Sequence, residues 1–297
     1  MPVTHDFEYF KPKTWEETVS LIDKLGNNAK ILAGGTDMLV KIKDGIEKPD
    51  TIIDIKNIKN IDKIKLNDDK ISIGAGVTFS QIINSPLIKS ELYLLWESAR
   101  TVASTGIRNR ATITGNICSA VPSLDSGPPL LIYNANINLL SINGKRTVSI
   151  SNWFKGPKKT DIQQGEVVTD IEIPVPSKPN GTCYIKLGRY SGEDLAQVSV
   201  GVMICDNYSY KIAYGAVGPI PKRISKIEEM LNGKNLSDEL LNKTKKIIAQ
   251  EISPITDIRA SKEYRLYMAS IMLERALKIA NKRFNGELIE PFNYLGG

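Results

Sequence analysis

The sequence predicts an α+β chain in three parts, and three observations carry that prediction. A short strand, helix and strand pattern opens the chain; strands then alternate with helices from Lys56 to Pro176; finally, three strand-like runs in hairpin order give way to helices alone. Thr14-Trp15-Glu16-Glu17 is a capping-box pattern, predicting a helix with Val19, Ile22 and Leu25 on its apolar face and Gly26 as its stop. Lys30 to Ala33 reads as a strand running into Gly34-Gly35-Thr36-Asp37. Met38 to Ile42 reads as a helix and Thr51 to Ile55 as another strand, so residues 1–55 are expected to form a small β-α-β subdomain.

Residues 56–176 form the second expected subdomain, with strands at Ile71 to Ala75, Ile137 to Ser141 and Val167 to Ile173 and two helices, one spanning Glu91 to Ala103. Between those helices lie residues 104–129, rich in Gly, Ser, Thr, Asn and Pro and without an amphipathic period. Compact domains hold so long an irregular segment mainly as a binding loop. Val175 to Gly181 is the one cluster of turn formers that reads as a linker. It leads into residues 177–297, where strands are predicted at Thr182 to Leu187, Ala196 to Ile204 and Tyr210 to Val217, and helices from Ile224, from Ser237 and over Lys262 to Lys282. On the last helix Tyr264, Met268, Ile271, Met272 and Leu277 are expected to share a buried face.

The chain has 297 residues, 41% hydrophobic and 24% charged, which excludes intrinsic disorder and provides for about two cores. No apolar run approaches the roughly 18 to 20 residues that span a bilayer. The segment Met1 to Phe10 carries His5, Asp6 and Glu8 in place of a signal peptide's apolar centre, so a cytoplasmic chain without membrane insertion is expected. Cys118, Cys183 and Cys205 are too widely spaced for a cluster or a bridge framework, and no metal site is expected. His5 is the single histidine, which argues against Ser-His, Cys-His and zinc chemistry. Phosphate-loop, Rossmann and nucleophile-elbow motifs are lacking. The net charge of +6 comes from 39 basic against 33 acidic residues, but only 10 of the basic ones are arginines and the lysines of residues 56–70 alternate with aspartates. Nucleic-acid binding is therefore not expected.

What remains is a set of groups that position a ligand. Gly34-Gly35-Thr36 and Thr114-Gly115-Asn116 are two glycine-rich turns whose bare amides suit a diphosphate. Thr112, Asn116 and Asp125 add a hydroxyl, an amide and a carboxylate along one segment, suited to a phosphate, a ribityl chain and a ribose hydroxyl. The residues alone leave a plainer alternative open, in which the glycines make ordinary turns and Asn116 and Asp125 cap them. No acid, base or nucleophile set accompanies these groups, and no catalytic residue is assigned. Such a pattern fits a site where a bound cofactor performs the chemistry.

Ala33-Gly-Gly-Thr-Asp37, taken with the run Arg108 to Asp125 (RNRATITGNICSAVPSLD), resembles the FAD-binding medium subunit of the molybdenum hydroxylases, the family that includes xanthine, carbon monoxide and nicotinate dehydrogenases. Lys186 to Ala196 (KLGRYSGEDLA), Gly215 to Pro221 and the Tyr264-Arg265 helix fit the same family, so the resemblance spans essentially the whole chain. It implies the fold type named for vanillyl-alcohol oxidase and p-cresol methylhydroxylase: two α+β subdomains that bind FAD between them, then a C-terminal domain with a three-stranded antiparallel sheet and helices. Carried over residue by residue, Ile31, Leu32, Ala33, Gly34, Gly35, Thr36, Asp37 and Met38 form the first pyrophosphate loop. Val102 and Ala103 lie beside the cofactor, Thr112, Thr114, Gly115 and Asn116 form the second loop, and Asp125 binds sugar hydroxyls. Lys186 touches the flavin, and Leu195 packs on the isoalloxazine at a position where some members carry an aromatic residue. The family often has a second glycine where Thr114 stands.

The resemblance further implies noncovalent FAD on this chain, a molybdenum cofactor on a large partner subunit and [2Fe-2S] clusters on a small one. Electrons would leave through the flavin to NAD(P)+ or another soluble acceptor. Two other readings are a free-standing flavin oxidase of the same fold, and a non-catalytic assembly protein whose glycine loops are scaffolding.

Overall fold

A computed structural model describes residues 5–190 and 193–290. Its first sheet is built from β1 (Glu8–Phe10), β2 (Ala29–Leu32) and β3 (Thr51–Asp54), with the outer two pairing parallel to β3. Parallel neighbours need crossovers, and the helices α1 (Trp15–Leu25) and α2 (Met38–Lys43) supply them. Thr14 caps α1 by accepting from the Glu17 amide, while the Glu17 carboxylate accepts from the Lys13 amide, so the expected capping box closes one residue upstream. Val19 and Ile22 pack on Ile53, Ile55 and Ile58. The turn at residues 33–37 leaves from the carboxyl end of β2, the side of a parallel sheet on which ligands generally bind.

The second sheet contains β4 (Ile64–Asn67), β5 (Lys70–Gly74), β6 (Asn136–Ser141) and β7 (Gly144–Ser149). A small ribbon follows, β8 (Phe154–Gly156) with β9 (Lys159–Thr160), and then β10 (Val167–Pro174) inserts at the centre of the sheet to give the order β4-β5-β10-β6-β7, antiparallel throughout. Between β5 and β6 the chain forms α3 (Phe79–Asn84), α4 (Pro86–Glu91), α5 (Tyr93–Arg100), α6 (Thr105–Arg108), α7 (Ile113–Ser119) and α8 (Gly127–Ile132); α9 (Ile150–Trp153) follows β7. The helix expected from Glu91 to Ala103 is therefore shorter. Leu92, at φ −125°, separates it from α4, and Ala103 leaves it in the left-handed region at φ 35°. Residues 104–129, expected to be irregular, contain two complete short helices and the start of α8. Ser104 and Thr112 hydroxyls cap the first two. One or two turns are too short to display a 3.6-residue period.

In the last part β11 (Gly181–Leu187), β12 (Val198–Cys205) and β13 (Ser209–Gly215) form an antiparallel meander as expected, but the sheet has a fourth strand. This is β14 (Lys222–Arg223), only two residues long and so without any alternation to read. Three helices follow, α10 (Ser225–Leu231), α11 (Asp238–Glu251) and α12 (Lys262–Phe284). Met272 and Leu277 of α12 are buried as expected, but Tyr264 is 45% exposed. The inward stripe begins at the buried Arg265 and runs through Ala269, Met272, Leu273, Ala276, Leu277 and Ala280, so the expected face holds at its middle and misses at its start.

The linker divides the sequence without dividing the core. One face of the last sheet, with Tyr184, Met203 and Ala213, joins the cluster that holds Leu94, Leu95 and Ile132 of α5 and α8. Its other face, with Cys183, Val200 and Val202, packs on Met272, Leu273 and Ala276 of α12. Sandwiched in this way, β11 carries its carboxyl end to the loops of the first two sheets.

Candidate functional site

A cleft of about 500 Å³ opens where the turn after β2, the segment around α6 and α7, and the end of β11 converge. Ile31, Ala33, Gly34, Gly35, Thr36, Asp37 and Met38 line one wall. Gly34 sits so close to the neighbouring segment that a β-carbon there would lie 2.2 Å from the Arg110 carbonyl oxygen. Gly35 turns the chain at φ 75°, a conformation that favours glycine. The Asp37 carboxylate accepts from the Ser119 hydroxyl and so ties the first turn to α7.

Val102, Ala103, Thr112, Gly115 and Asn116 form the facing wall. The Thr112 hydroxyl oxygen accepts from the Gly115 amide at 3.0 Å as the cap of α7, so one lone pair serves the helix while its proton remains to donate. Thr114-Gly115-Asn116, expected as a turn, is the first part of that helix. Asn116 accepts from Ser126 Oγ at 2.6 Å. At the far end Asp125, Lys186 and Leu195 complete the lining, with Leu195 half-exposed.

Two expected residues do not line the cleft. Leu32 turns into the cluster with Ile42 and Ile52, because alternation along β2 sends it to the face opposite Ile31. Thr114 is buried behind the wall, one position round α7 from Gly115. Within the run Lys186 to Ala196, Ser191 and Gly192 lie outside the described residues. The rest is held by Asp194, whose carboxylate accepts from the Arg189 and Leu195 amides.

Sequence reasoning missed several lining groups, among them Phe79, Cys118, Ser119, Ser123 and the Lys41–Glu47 ion pair at 2.9 Å. Ser123 matters most. It is 6% exposed, and its hydroxyl has no hydrogen-bond partner among the described residues. A buried hydroxyl left unpaired costs free energy, and a ligand in the cleft would satisfy it. Its place two residues before Asp125 was the available signal.

The electrostatics centre on Asp125. Its Oδ1 accepts from the Tyr184 hydroxyl at 3.0 Å and its Oδ2 from Lys186 Nζ at 2.9 Å, both ion-pair side chains being less than a tenth exposed. Lys186 also donates to the Thr101 carbonyl at 2.8 Å. Burial pushes the Asp125 carboxyl above its ordinary value, and Lys186 and Tyr184 oppose that push. Burial and the adjacent carboxylate push the Tyr184 phenol well up, so it remains a donor. Among the described residues no cluster of His, Cys, Asp or Glu is suited to a metal ion. The cleft thus combines a glycine turn, an unpaired hydroxyl, a carboxylate with accepting capacity and apolar surface from Phe79, Val102 and Leu195. Those groups suit a ligand that joins a diphosphate, a polyol and a flat ring.

Comparison with known proteins identifies the family. Residues 5–176 match the FAD binding domain in molybdopterin dehydrogenase, and residues 183–280 match the CO dehydrogenase flavoprotein C-terminal domain. The glyceraldehyde dehydrogenase medium chain of Sulfolobus acidocaldarius is 32% identical over 92% of this chain and 98% of its own. The carbon monoxide dehydrogenase medium chain of Hydrogenophaga pseudoflava is also 32% identical, over 92% of this chain and 96% of its own. A solved structure of carbon monoxide dehydrogenase from Hydrogenophaga pseudoflava superposes with a TM-score of 0.90 at 32% identity, covering 94% of this chain and 98% of that one. With both domain families matched in order and near-complete coverage, the chain belongs to the FAD-binding medium-chain family of the molybdopterin dehydrogenases.

Proposed function

We propose that this FAD subunit of a molybdenum hydroxylase-type dehydrogenase is an electron-transfer station. It receives electrons from [2Fe-2S] clusters on a small partner subunit, which draws them from a molybdenum cofactor on a large one, and delivers them to NAD(P)+ or another soluble acceptor. The observation that carries the reading is the cleft, whose described walls offer positioning groups: the Gly34-Gly35 turn, the unpaired Ser123 hydroxyl and the Asp125 carboxylate. Bound FAD supplies the redox chemistry. The chain's residues hold and orient it: the Gly34-Gly35 turn with Thr36, the Thr112 proton and the Ser123 hydroxyl toward the diphosphate, Asn116 and Asp125 toward the sugar and ribityl hydroxyls, and Val102, Ala103 and Leu195 against the ring. Lys186 acts at the same end. His5, the one imidazole, is not part of the cleft lining, which favours noncovalent attachment over the covalent link of many free-standing oxidases.

Residues 1–55, 56–176 and 177–297 are proposed as the domains, each built on one of the three larger sheets, and the cytoplasm as the compartment. Among the described residues no helix is long and apolar enough to cross a membrane.

The purified full chain is expected to release about one FAD per chain on acid treatment and to contain neither iron nor molybdenum. Cys118 gives a second readout, because it is exposed and lines the cleft while Cys183 and Cys205 are buried; its surroundings push the thiol up to about 12, so the labelling is run at alkaline pH. Stripping the flavin should make Cys118 reactive to a maleimide, and added FAD should protect it. A colourless protein that refuses FAD, with Cys118 equally reactive either way, would return the glycine loops to scaffolding.

A further inference from the structure

We infer that Tyr184 is a positioning residue that, together with Lys186, fixes Asp125 in the cleft wall as an ionised carboxylate accepting from ligand hydroxyls. The inference rests on the proposed reading of the cleft as the FAD site. Tyr184 and Lys186 are two apart on β11, so their side chains leave the same face of the strand. Pairing with Gly201 and Ser199 of β12 fixes their register. From that face the phenol reaches one oxygen of Asp125 and the ammonium the other. The strand is itself anchored, since the Tyr184 amide donates to Glu97 Oε2 at 2.9 Å and the ring lies in the core.

An ionised carboxylate offers about four lone-pair positions. Two are taken by β11, and the remaining ones are available to hydroxyl donors in the cleft. The same carboxylate disfavours a phosphate, so this end of the cleft selects the polyol segment of the ligand. A protonated Asp125 would lose that accepting capacity, and burial favours protonation. The groups that resist it are Lys186 and Tyr184 from β11; Thr101, just beyond α5, accepts from Lys186 through its carbonyl and sets its side chain beside the phenol, and β12 places Ser199 beside the phenol as well. The other carboxylates lining the cleft are Asp37, held by Ser119, Glu47, paired with Lys41, Asp194, held by backbone amides, and Glu193.

The test is FAD affinity of the stripped full chain, followed by flavin fluorescence from pH 5 to 8. Tyr184→Phe is expected to bind FAD about tenfold more weakly at neutral pH, the cost of one hydrogen bond to a charged group. Without the phenol the Asp125 carboxyl is easier to protonate, so the loss of affinity on acidification should begin at a higher pH than in the wild type. Asp125→Asn should bind weakly and lose that pH dependence. A purely structural role for Tyr184 would lower stability without moving the pH midpoint. Wild-type affinity and midpoint in Tyr184→Phe would overturn the inference, and so would a wild-type profile as flat as that of Asp125→Asn, a comparison that does not need the tyrosine variant to fold. A wild type that takes up no FAD overturns this inference and the functional reading together, whereas the first two results overturn this one alone.

Discussion

At Gly34 the obstacle to any side chain is backbone on both counts: an added β-carbon would meet the Arg110 oxygen at 2.2 Å and the Ala111 Cα at 3.0 Å. Neither atom can retreat cheaply, because the Ala111 amide donates to Ile107 at 2.7 Å and its carbonyl accepts from Phe79 at 3.0 Å. Gly34→Ala should therefore push the two walls of the cleft apart. We expect a stability loss of about 1–3 kcal/mol by urea unfolding, typical of overpacking, with a parallel fall in FAD content; an unchanged urea midpoint would show that the walls yield. The glycine pair was legible in the sequence as a turn after a strand. Its partner was not, since residues 110 and 111 lie far along the chain and nothing local marks them as neighbours. Lys186 shows the same limit. A lysine on a strand reads as solvated, and only the fold reveals the buried carboxylate that receives it.

Among the elements, strands such as β12 and β10 were readable because runs of valine and isoleucine carry a strong local signal. The short helices α6 and α7 were hidden by their length, and the start of the α12 stripe was misplaced because its first inward residue is charged. Arg265 is 3% exposed and donates to the Gln197 and Ala216 carbonyls while pairing with Asp257 at 2.8 Å. It thereby fastens the start of α12 to the start of β12 and to the loop after β13. The guanidinium fork is what permits these separate partners. Arg265→Met keeps the apolar stem but leaves two carbonyls unpaired and Asp257 without its partner, and should cost about 3 kcal/mol. Urea unfolding checks this, and a loss below 1 kcal/mol would mean that solvent replaces the lost contacts.

For the whole molecule, the turn-forming segment between β10 and β11 was readable from its composition, but the core that continues across it was not, because packing between distant segments leaves no trace in local sequence. That continuity includes a buried ion pair. Glu97 of α5 meets Arg283 of α12 at 2.8 Å, and Arg283 also donates to the Thr182 carbonyl and to the carbonyls of Ile289 and Glu290 beyond the helix. Burial pushes the Glu97 carboxyl from 4.5 up to about 7, with Arg283 and the Tyr184 amide pulling it down. A carboxyl whose folded value lies above its unfolded one binds protons more tightly in the folded state. Its contribution to stability is therefore greatest in acid and declines as pH rises from about 4.5 to about 7, by on the order of 3 kcal/mol. Glu97→Gln keeps an acceptor for the Tyr184 amide and removes the titration. Against wild type from pH 5 to 8, its urea midpoint should lie near the wild-type value at pH 5, where Glu97 is protonated too, and its curve should lack the wild-type decline, so that the variant is the more stable of the two at pH 8. A wild-type midpoint that rises from pH 5 to 7, or a decline of equal size in the variant, would remove Glu97 as its source and leave the ion pair as a fixed brace between α5 and α12.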